Sequence, residues 1–250
     1  MDQQRQHRAA LTRLAAMLVL LGAHLAEQGA HPARRCTRRL HTARQPIGVG
    51  AKGQGTANLK ACAGENIVAL CDVDADYAAP TFARYPSAKT YVDYRVMLEK
   101  QKDIDAIIIA TPDHTHAVIT LAALAAGKHV YCQKPLTHTV REARTITEAA
   151  RRAKVQTQMG NQGHSSESIR LLKEWLAAGV IGAVREVHAW TDRPVGGDPW
   201  SNFAVQAQSK DTPPVPATLN WDLWLGPAPK RAFNKAIHPK GFRHFLDYAN

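Results

Sequence analysis

From about residue 47, short runs rich in β-branched residues alternate with stretches rich in Ala, Leu, Lys and Glu. The runs are ENIVALCDVD, DIDAIIIATPDH, KHVYCQKPL and KVQTQMGNQG. Strands that alternate with helices predict a parallel sheet covered by helices on both faces, and the unbroken apolar run Ala106 to Ala110 fits such burial. We therefore expect an α/β fold with a doubly wound parallel sheet, and helices over Gln54 to Ala63, Ala75 to Ala83, Tyr94 to Gln101, His116 to Ala126 and Thr139 to Ala153.

The segment IGVGAKGQG places Gly48, Gly50 and Gly53 in G-x-G-x-x-G spacing directly before the first helical stretch. In a strand–turn–helix unit, the first glycine makes the tight turn, the second lets a pyrophosphate approach, and the third lets the helix pack on the strand. Asp72 ends the next apolar run. A carboxylate there accepts hydrogen bonds from ribose hydroxyls and repels a 2′-phosphate. The sequence therefore predicts a Rossmann domain that binds NAD in preference to NADP.

After about Gly163 the pattern changes. A helix is expected over Ser166 to Ala178, and the alternating segment AVREVHAWTDRP indicates a strand. All five tryptophans lie in this part, and five prolines between residues 213 and 229 indicate loop-rich structure. We therefore divide the chain into a basic leader or disordered segment (1–45), a dinucleotide-binding domain (46–163) and a second domain (164–250).

The formal net charge of +11 is concentrated at the N-terminus, because residues 1–45 hold eight arginines against Asp2 and Glu27. No aromatic residue is interleaved with these arginines, so we expect no nucleic-acid partner. The apolar run Leu14 to Ala26 is too short to span a bilayer, and we expect no stable membrane insertion. This run fits either a signal-peptide core or an amphipathic or unstructured leader, so a cytoplasmic and a periplasmic or secreted location both stay open.

The histidines and cysteines form no metal-binding pattern. His114 and His116 are two residues apart and do not share a helix face, and we expect His114 to face solvent. The cysteines form no C-x-x-C pair, so we expect neither a metal site nor dependence on disulfides. They are Cys36, Cys62, Cys71 and Cys132.

Further candidate residues follow the fourth and fifth strands, whose carboxyl ends meet at the edge where open α/β sheets bind ligands. Thr111, Pro112 and His116, in ATPDHTH, are expected to line the nicotinamide end of the cleft, although His116 also fits a helix start without a ligand. Lys134 comes next, directly before Pro135, which restricts its backbone. A lysine held there can bind a substrate hydroxyl, stabilise alkoxide charge and take part in proton transfer. A surface Lys-Pro turn is the alternative.

The segments GVGAKGQG, CDVD, TPDHTHAVI, AGKHVYCQKPL and NWDLWLGPAP together resemble the Gfo/Idh/MocA family of NAD(P)-dependent sugar and polyol oxidoreductases. The resemblance runs from about Ile47 to the end of the sequence. It implies a Rossmann domain followed by an α/β domain with an open, mainly antiparallel sheet, which serves the substrate and often a homo-oligomer interface. The family's Glu-Lys-Pro signature maps onto Gln133, Lys134 and Pro135, which implies that Lys134 is catalytic and that Gln133 lies at the cofactor.

The sequence departs from the family pattern in two places. Gln133 replaces the usual Glu, and because a neutral amide cannot pair with Lys134 as a carboxylate does, the lysine proton is expected to be less tightly held. The family's second catalytic motif, an Asp and a His a few residues apart, follows a segment like FLDYAN. The resemblance therefore implies that this motif would lie beyond Asn250, and we expect the 250-residue chain to be incomplete for turnover.

The resemblance favours an NAD-dependent oxidoreductase that acts on a secondary hydroxyl of a sugar, inositol or related polyol. Two alternatives stay open at the level of sequence. One is an NAD-dependent glycosidase, which the same family includes. The other is an NAD-binding sensor without catalytic activity.

Overall fold

The computed structural model of the chain describes residues 46–164, 166–190 and 211–249. In these ranges, six parallel strands form one sheet in the order β3-β2-β1-β4-β5-β6. The order reverses between β1 and β4, as in doubly wound folds, which confirms the predicted Rossmann sheet. The strands are β1 (Pro46–Val49), β2 (Ala69–Cys71), β3 (Lys89–Tyr91), β4 (Ala106–Ile109), β5 (His129–Gln133) and β6 (Thr157–Gly160).

Five helices connect the strands, close to their expected positions. One begins earlier than expected, at Asp113 and not at His116, because Pro112 takes the N-cap position with an extended backbone and Asp113 enters the first turn. Apolar periodicity, from which the start was predicted, is weak over that first polar turn. The helices are α1 (Gln54–Ala61), α2 (Ala75–Arg84), α3 (Tyr94–Lys100), α4 (Asp113–Ala125) and α5 (Val140–Ala153).

The two faces of the sheet carry separate apolar clusters, and β4 supplies both. Ile107 and Ile109 pack in one cluster with residues of α4, whereas Ile108 packs in the other with Leu59 of α1. Successive side chains of a strand point to opposite faces, so an unbroken apolar run serves both. Each fully buried side chain of this size stabilises the fold by roughly 1.5–3 kcal/mol.

Beyond β6, the structure agrees with one expectation and corrects another. Helix α6 (Glu167–Ala177) lies within the expected range. Residues 183–190, the described part of AVREVHAWTDRP, form no strand. A strand needs a paired neighbour, and none lies beside these residues in the described part of the chain. No helix in the described ranges is long and apolar enough to cross a bilayer. The segment 1–45, with its run Leu14 to Ala26, and Trp200 lie outside those ranges.

Residues 211–249 pack against the carboxyl edge of the sheet. They contain α7 (Trp221–Leu225) and a 3-10 helix (Gly241–His244), and their apolar side chains form a cluster that includes Trp224 and Tyr248. An antiparallel bridge pairs Leu219 with Asp74, and the N–H of Asn220 donates to the carbonyl of Val73 over 2.8 Å. This C-terminal segment is therefore anchored beside the end of β2.

The first turn of α5 contains a capping box. The Thr139 hydroxyl accepts from the N–H of Glu142, and the Glu142 carboxylate accepts from the N–H of Thr139. We expect Thr139→Ala to lower the free energy of unfolding by about 1 kcal/mol, because the helix loses its N-cap acceptor. Urea unfolding followed by circular dichroism measures this change. Thr145→Ala, on the same helix, is the control and should not destabilise the protein, because alanine is the better helix former; equal losses for the two variants would contradict the prediction.

Candidate active site

The carboxyl ends of β1, β2, β4 and β5 border a cleft of about 1050 Å³. Six of the residues predicted for the site line it, and so do residues of α2 and of the C-terminal segment. A cleft at the point where the strand order reverses is the usual ligand site of open α/β sheets. The six residues are Gly50, Gly53, Asp72, Thr111, Pro112 and Lys134.

In the turn between β1 and α1, the glycines have other roles than those expected from the motif. Gly48 lies within β1 beneath Leu59, and the turn itself falls at Gly50, which has φ +82° and stands so close to Ala110 that a Cβ would lie 2.6 Å from its carbonyl oxygen. The close approach of helix to strand belongs to Gly55, where a methyl group would overlap the carbonyl oxygen of Gly50. Sequence reasoning did not single out Gly55, although the second glycine of GQG was a visible signal.

The N-terminus of α1 faces the cleft without a protein anion. Gly53 is its N-cap, no side chain caps the helix, and its first turn contains no acidic residue. The first N–H groups of a helix have no partner within it, and they carry the positive end of the helix dipole. This terminus therefore fits a phosphate group, as the pyrophosphate of a dinucleotide requires.

Asp72 stands at the end of β2 and is bound to the backbone on both of its oxygens. Its Oδ2 accepts from the N–H of Ala51 over 2.8 Å, and its Oδ1 accepts from the N–H of Asp74 over 3.1 Å. Burial raises the pKa of the Asp72 carboxyl, and these two N–H groups partly offset the increase. Each carboxylate oxygen keeps a second acceptor position for a ribose hydroxyl.

The C-terminal segment reaches the same end of the cleft through His238. The His238 Nε2 lies 2.7 Å from Asp74 Oδ2, in a pair whose side chains are only 10% and 13% exposed. Asp74 also caps α2 by accepting from the N–H of Tyr77. His238 thus braces the loop that holds Asp72. Sequence reasoning missed this contact, since the two residues are 164 positions apart and share no motif.

Lys134 lies at the opposite end of the cleft. Its side chain is exposed, its N–H donates to the carbonyl of Gly160 over 3.2 Å, and its peptide bond to Pro135 is cis. Among the described residues, no acceptor binds its ammonium within hydrogen-bond distance. Its positive charge acts on Asp113, a buried carboxyl at the start of α4. Lys134 is therefore free to meet a polar group of a ligand.

Two other predicted site residues lie behind the cleft wall. His116 is 1% exposed and contacts the backbone carbonyls of Thr111 and Pro135, so it does not line the cleft as expected. Gln133 is buried over Gly160 and accepts from the side-chain amide of Gln162. Strand alternation explains the second case, because Gln133 and Lys134 leave β5 in different directions.

His114 was expected to face solvent, and this expectation is wrong. Its side chain is 2% exposed, and its Nε2 donates to the carbonyl of Trp224 over 3.0 Å. Its backbone N–H donates to the carbonyl of Tyr248. Burial lowers the pKa of His114, so the ring is held neutral. The first turn of α4 therefore binds the C-terminal segment to the sheet edge.

Positive charge predominates around the cleft. Arg95 pairs with Asp93 and Lys230 pairs with Asp222. Other cations face aromatic rings or the cleft itself: Lys52 lies 4.4 Å from the ring centre of Tyr77, Arg243 lies 4.4 Å from that of Phe242, and Lys134 stands at the far end. Such a field attracts an anionic ligand. With the bare helix terminus at one end and a lysine at the other, the cleft fits an elongated phosphate-containing molecule.

Comparison with known proteins agrees with this geometry. Residues 47–161 match the Gfo/Idh/MocA oxidoreductase family model with an NAD-binding Rossmann fold, and residues 166–250 match the model of its C-terminal α/β domain. An inositol 2-dehydrogenase of Serratia proteamaculans is 33% identical over 161 residues, which cover 62% of this chain and 47% of that protein. The chain spans about half the length of the curated relatives it matches.

Two solved structures share the fold of this chain. A myo-inositol 2-dehydrogenase from Lactobacillus plantarum matches with a TM-score of 0.53 and 25% identity, over 56% of this chain and 43% of that one. An NAD-binding protein from Listeria innocua matches with a TM-score of 0.51 and 27% identity, over 56% of this chain and 42% of that one. Both matches support the sheet topology described above.

The approach of Gly55 to Gly50 can be tested by adding one methyl group. We expect Gly55→Ala to destabilise the protein by about 1–3 kcal/mol, because α1 must move away from β1 to relieve the overlap. Thermal unfolding measures the loss. Gly64→Ala is the matched control, since nothing lies within 4 Å of an added Cβ there, and it should change stability by less than about 0.5 kcal/mol. A Gly55→Ala protein as stable as the control would show that this contact does not set the helix position.

Proposed function

Since this chain belongs to the Gfo/Idh/MocA oxidoreductase family, with its NAD-binding Rossmann fold, we propose that it transfers a hydride between NAD and a secondary hydroxyl of inositol or a related sugar or polyol. The observation that carries the proposal is one cleft lined by the glycine turn, Asp72 and Lys134. These residues come from β1, β2 and β5, which only the folded sheet brings to a common edge.

The chain's own groups account for how the cofactor would be held. The N-terminus of α1 receives the pyrophosphate, and the carboxylate of Asp72 accepts the hydroxyls of the adenosine ribose. Thr111 and Pro112, at the end of β4, border the part of the cleft between Asp72 and Lys134. These two residues and Lys134 would hold the nicotinamide end of the cofactor. When bound, NAD supplies the hydride acceptor, which no side chain can provide.

Lys134 is the residue we assign to proton transfer and charge stabilisation. An ammonium at hydrogen-bond distance from a substrate hydroxyl stabilises the negative charge that grows on the oxygen as the hydride leaves carbon. The neutral amine form can instead accept the hydroxyl proton. Gln133 offers no negative charge to hold the lysine in its charged form, and its side chain is engaged with Gln162. The carboxyl of Asp113 interacts electrostatically with the Lys134 charge.

The substrate class rests on the relatives and on the cleft together. The matched curated proteins include inositol 2-dehydrogenases from several bacteria. A polyol would present neighbouring hydroxyl groups to the ammonium of Lys134. The domain division at about residue 163 and a homo-oligomer for the whole protein stay predictions. A direct test is isothermal titration with NAD and with NADP, followed by spectrophotometric assay of NAD reduction with a panel of inositol isomers, hexoses and pentitols.

The proposal predicts a preference for NAD that depends on Asp72. We expect Asp72→Asn to weaken NAD binding about tenfold, since a hydrogen bond to a charged acceptor is lost, and to leave NADP binding equal or tighter, because the repulsion of the 2′-phosphate is removed. Calorimetric affinities for both cofactors measure the change. Asp76→Asn is the control, because Asp76 lies on α2 outside the cleft lining. Equal affinities of the unmodified protein for NAD and NADP would contradict the assignment.

The proposal also predicts that Lys134 acts in turnover and not in cofactor binding. In protein that also carries the family's second catalytic motif, we expect Lys134→Ala to lower the turnover number on the best polyol by about 10² or more, with NAD affinity nearly unchanged. Lys60→Ala, which removes an exposed lysine of α1, is the control and should keep the activity of the unmodified protein. Undiminished turnover by the Lys134→Ala protein would refute the catalytic role.

A further inference from the structure

Within the described part of the chain, the side chain of His116 contacts two hydrogen-bond acceptors and no donor. Its Nδ1 lies 2.6 Å from the carbonyl oxygen of Pro135, and its Nε2 lies 2.9 Å from the carbonyl oxygen of Thr111. A neutral imidazole has one N–H group and one lone pair, whereas the protonated ring has two N–H groups. In any neutral form, one ring nitrogen would direct its lone pair at a carbonyl oxygen at close range. Only the imidazolium satisfies both contacts.

Among the described residues, Asp113 is the anion that compensates a charge on His116. Asp113 lies three residues earlier on α4, is buried, and is influenced by the positive charge of His116 more than by any other neighbouring cation. A cation in the first turn of a helix is disfavoured by the helix dipole, and its burial is costly. Two charge-assisted bonds and the Asp113 carboxylate oppose these costs. The other ionisable groups around this pair are His114, Cys132, Lys134, His138 and Arg243.

The two carbonyls that His116 contacts lie just after β4 and β5, the strand ends that border the site of Lys134. Thr111 follows β4 and lines the cleft, and Pro135 directly follows Lys134. Pro135 has no N–H of its own to anchor the loop. The N–H of Lys134 binds Gly160 on one side, and the carbonyl of Pro135 binds His116 on the other. His116 therefore holds the backbone on which Lys134 stands.

We propose that His116 is a positioning residue whose protonated ring joins Thr111 to Pro135 and so sets the place of Lys134, with Asp113 as its counter-ion. Loss of the ring proton removes one of the two bonds. The shorter contact, to Pro135, keeps the remaining N–H, and the carbonyl of Thr111 loses its bond to the ring. The place of Lys134 and the shape of the cleft wall then depend on the protonation of a residue that touches no ligand. The inference rests on the proposed function only in taking Lys134 as the reacting lysine.

The protonation state is measured by nuclear magnetic resonance on the cofactor-free 250-residue protein labelled with ¹⁵N. Over a pH series, we expect both His116 ring nitrogens to show the protonated pattern at the acidic end. We also expect the backbone signals of Thr111 and of Lys134 or Leu136 to move with the same midpoint as the ring. Asp113→Asn should shift that common midpoint to lower pH, because the counter-ion is gone. A single neutral tautomer at every pH, or loop signals that do not follow the ring, would overturn the proposal.

The effect on Lys134 is measured by its rate of acylation by acetic anhydride, followed by mass spectrometry across the same pH range. In the unmodified protein the Lys134 profile should change slope at the His116 midpoint, and in His116→Gln this change should disappear, since glutamine carries no titrating ring. His188→Gln, in an exposed histidine, is the control and should keep the profile of the unmodified protein. An identical Lys134 profile in His116→Gln and the control would also count against the proposal.

These measurements separate the inference from the proposed function. If the protein binds no NAD by calorimetry while ring and loop titrate together, the proposed function fails and the positioning role stands. If NAD binds with the expected preference while the ring and the loop titrate independently, the positioning role fails and the proposed function stands. If a variant does not fold, the titration of the His116 ring and of the loop signals in the unmodified protein still tests the positioning role.

Discussion

The site depends on how closely α1 approaches β1, and that approach is set by the contact between Gly55 and the carbonyl of Gly50. Because no side chain separates them, the first turn of α1 begins directly over the sheet edge, where its unpaired N–H groups face the cleft. The same turn directs the N–H of Ala51 to Asp72. Backbone contacts thus fix the N-terminus of α1, which is proposed to bind phosphate, relative to the carboxylate of Asp72, which is proposed to bind ribose.

The C-terminal segment, residues 211–249, forms a part of the cleft wall that the sheet does not supply. Its aromatic cluster packs on α4 through His114, and His238 braces Asp74 beside the glycine turn. Trp224 links the two contacts, since its ring packs against both histidines. One wall of the cleft therefore comes from residues more than a hundred positions away from the Rossmann motif. Lys52, from the glycine turn, lies 4.4 Å from the ring centre of Tyr77, and the charge of Arg243, from the C-terminal segment, also acts on Tyr77.

The residues predicted for the site fall into two groups. The position of the first group is set by a strand end, and that of the second by the direction of the side chain. Gly50, Asp72 and Lys134 follow strands directly, and Thr111 follows one after a single residue. Parallel strands bring such positions to a common edge, so their presence in one cleft was predictable. Gln133 and His116 stand one position or one helical turn from such ends, and there the direction of the side chain decides. Both direct their polar atoms into the protein, where His116 meets two carbonyls and Gln133 meets Gln162.

The sequence by itself determined the parallel sheet, the helix positions to within a few residues, the glycine turn and the lysine after β5. These features follow from local periodicity, from turn chemistry and from motif spacing, all of which act over short stretches of chain. Only the tertiary structure decided that Gly55 carries the close packing, that His114 is buried, that His238 pairs with Asp74, and that His116 lies behind the cleft. The last three depend on groups from other parts of the chain that are brought together by burial, and burial of a polar group is settled by the partners it finds in the folded chain. The contact of Gly55 with Gly50 is local, but it depends on how closely the helix packs on the strand, which motif spacing leaves open.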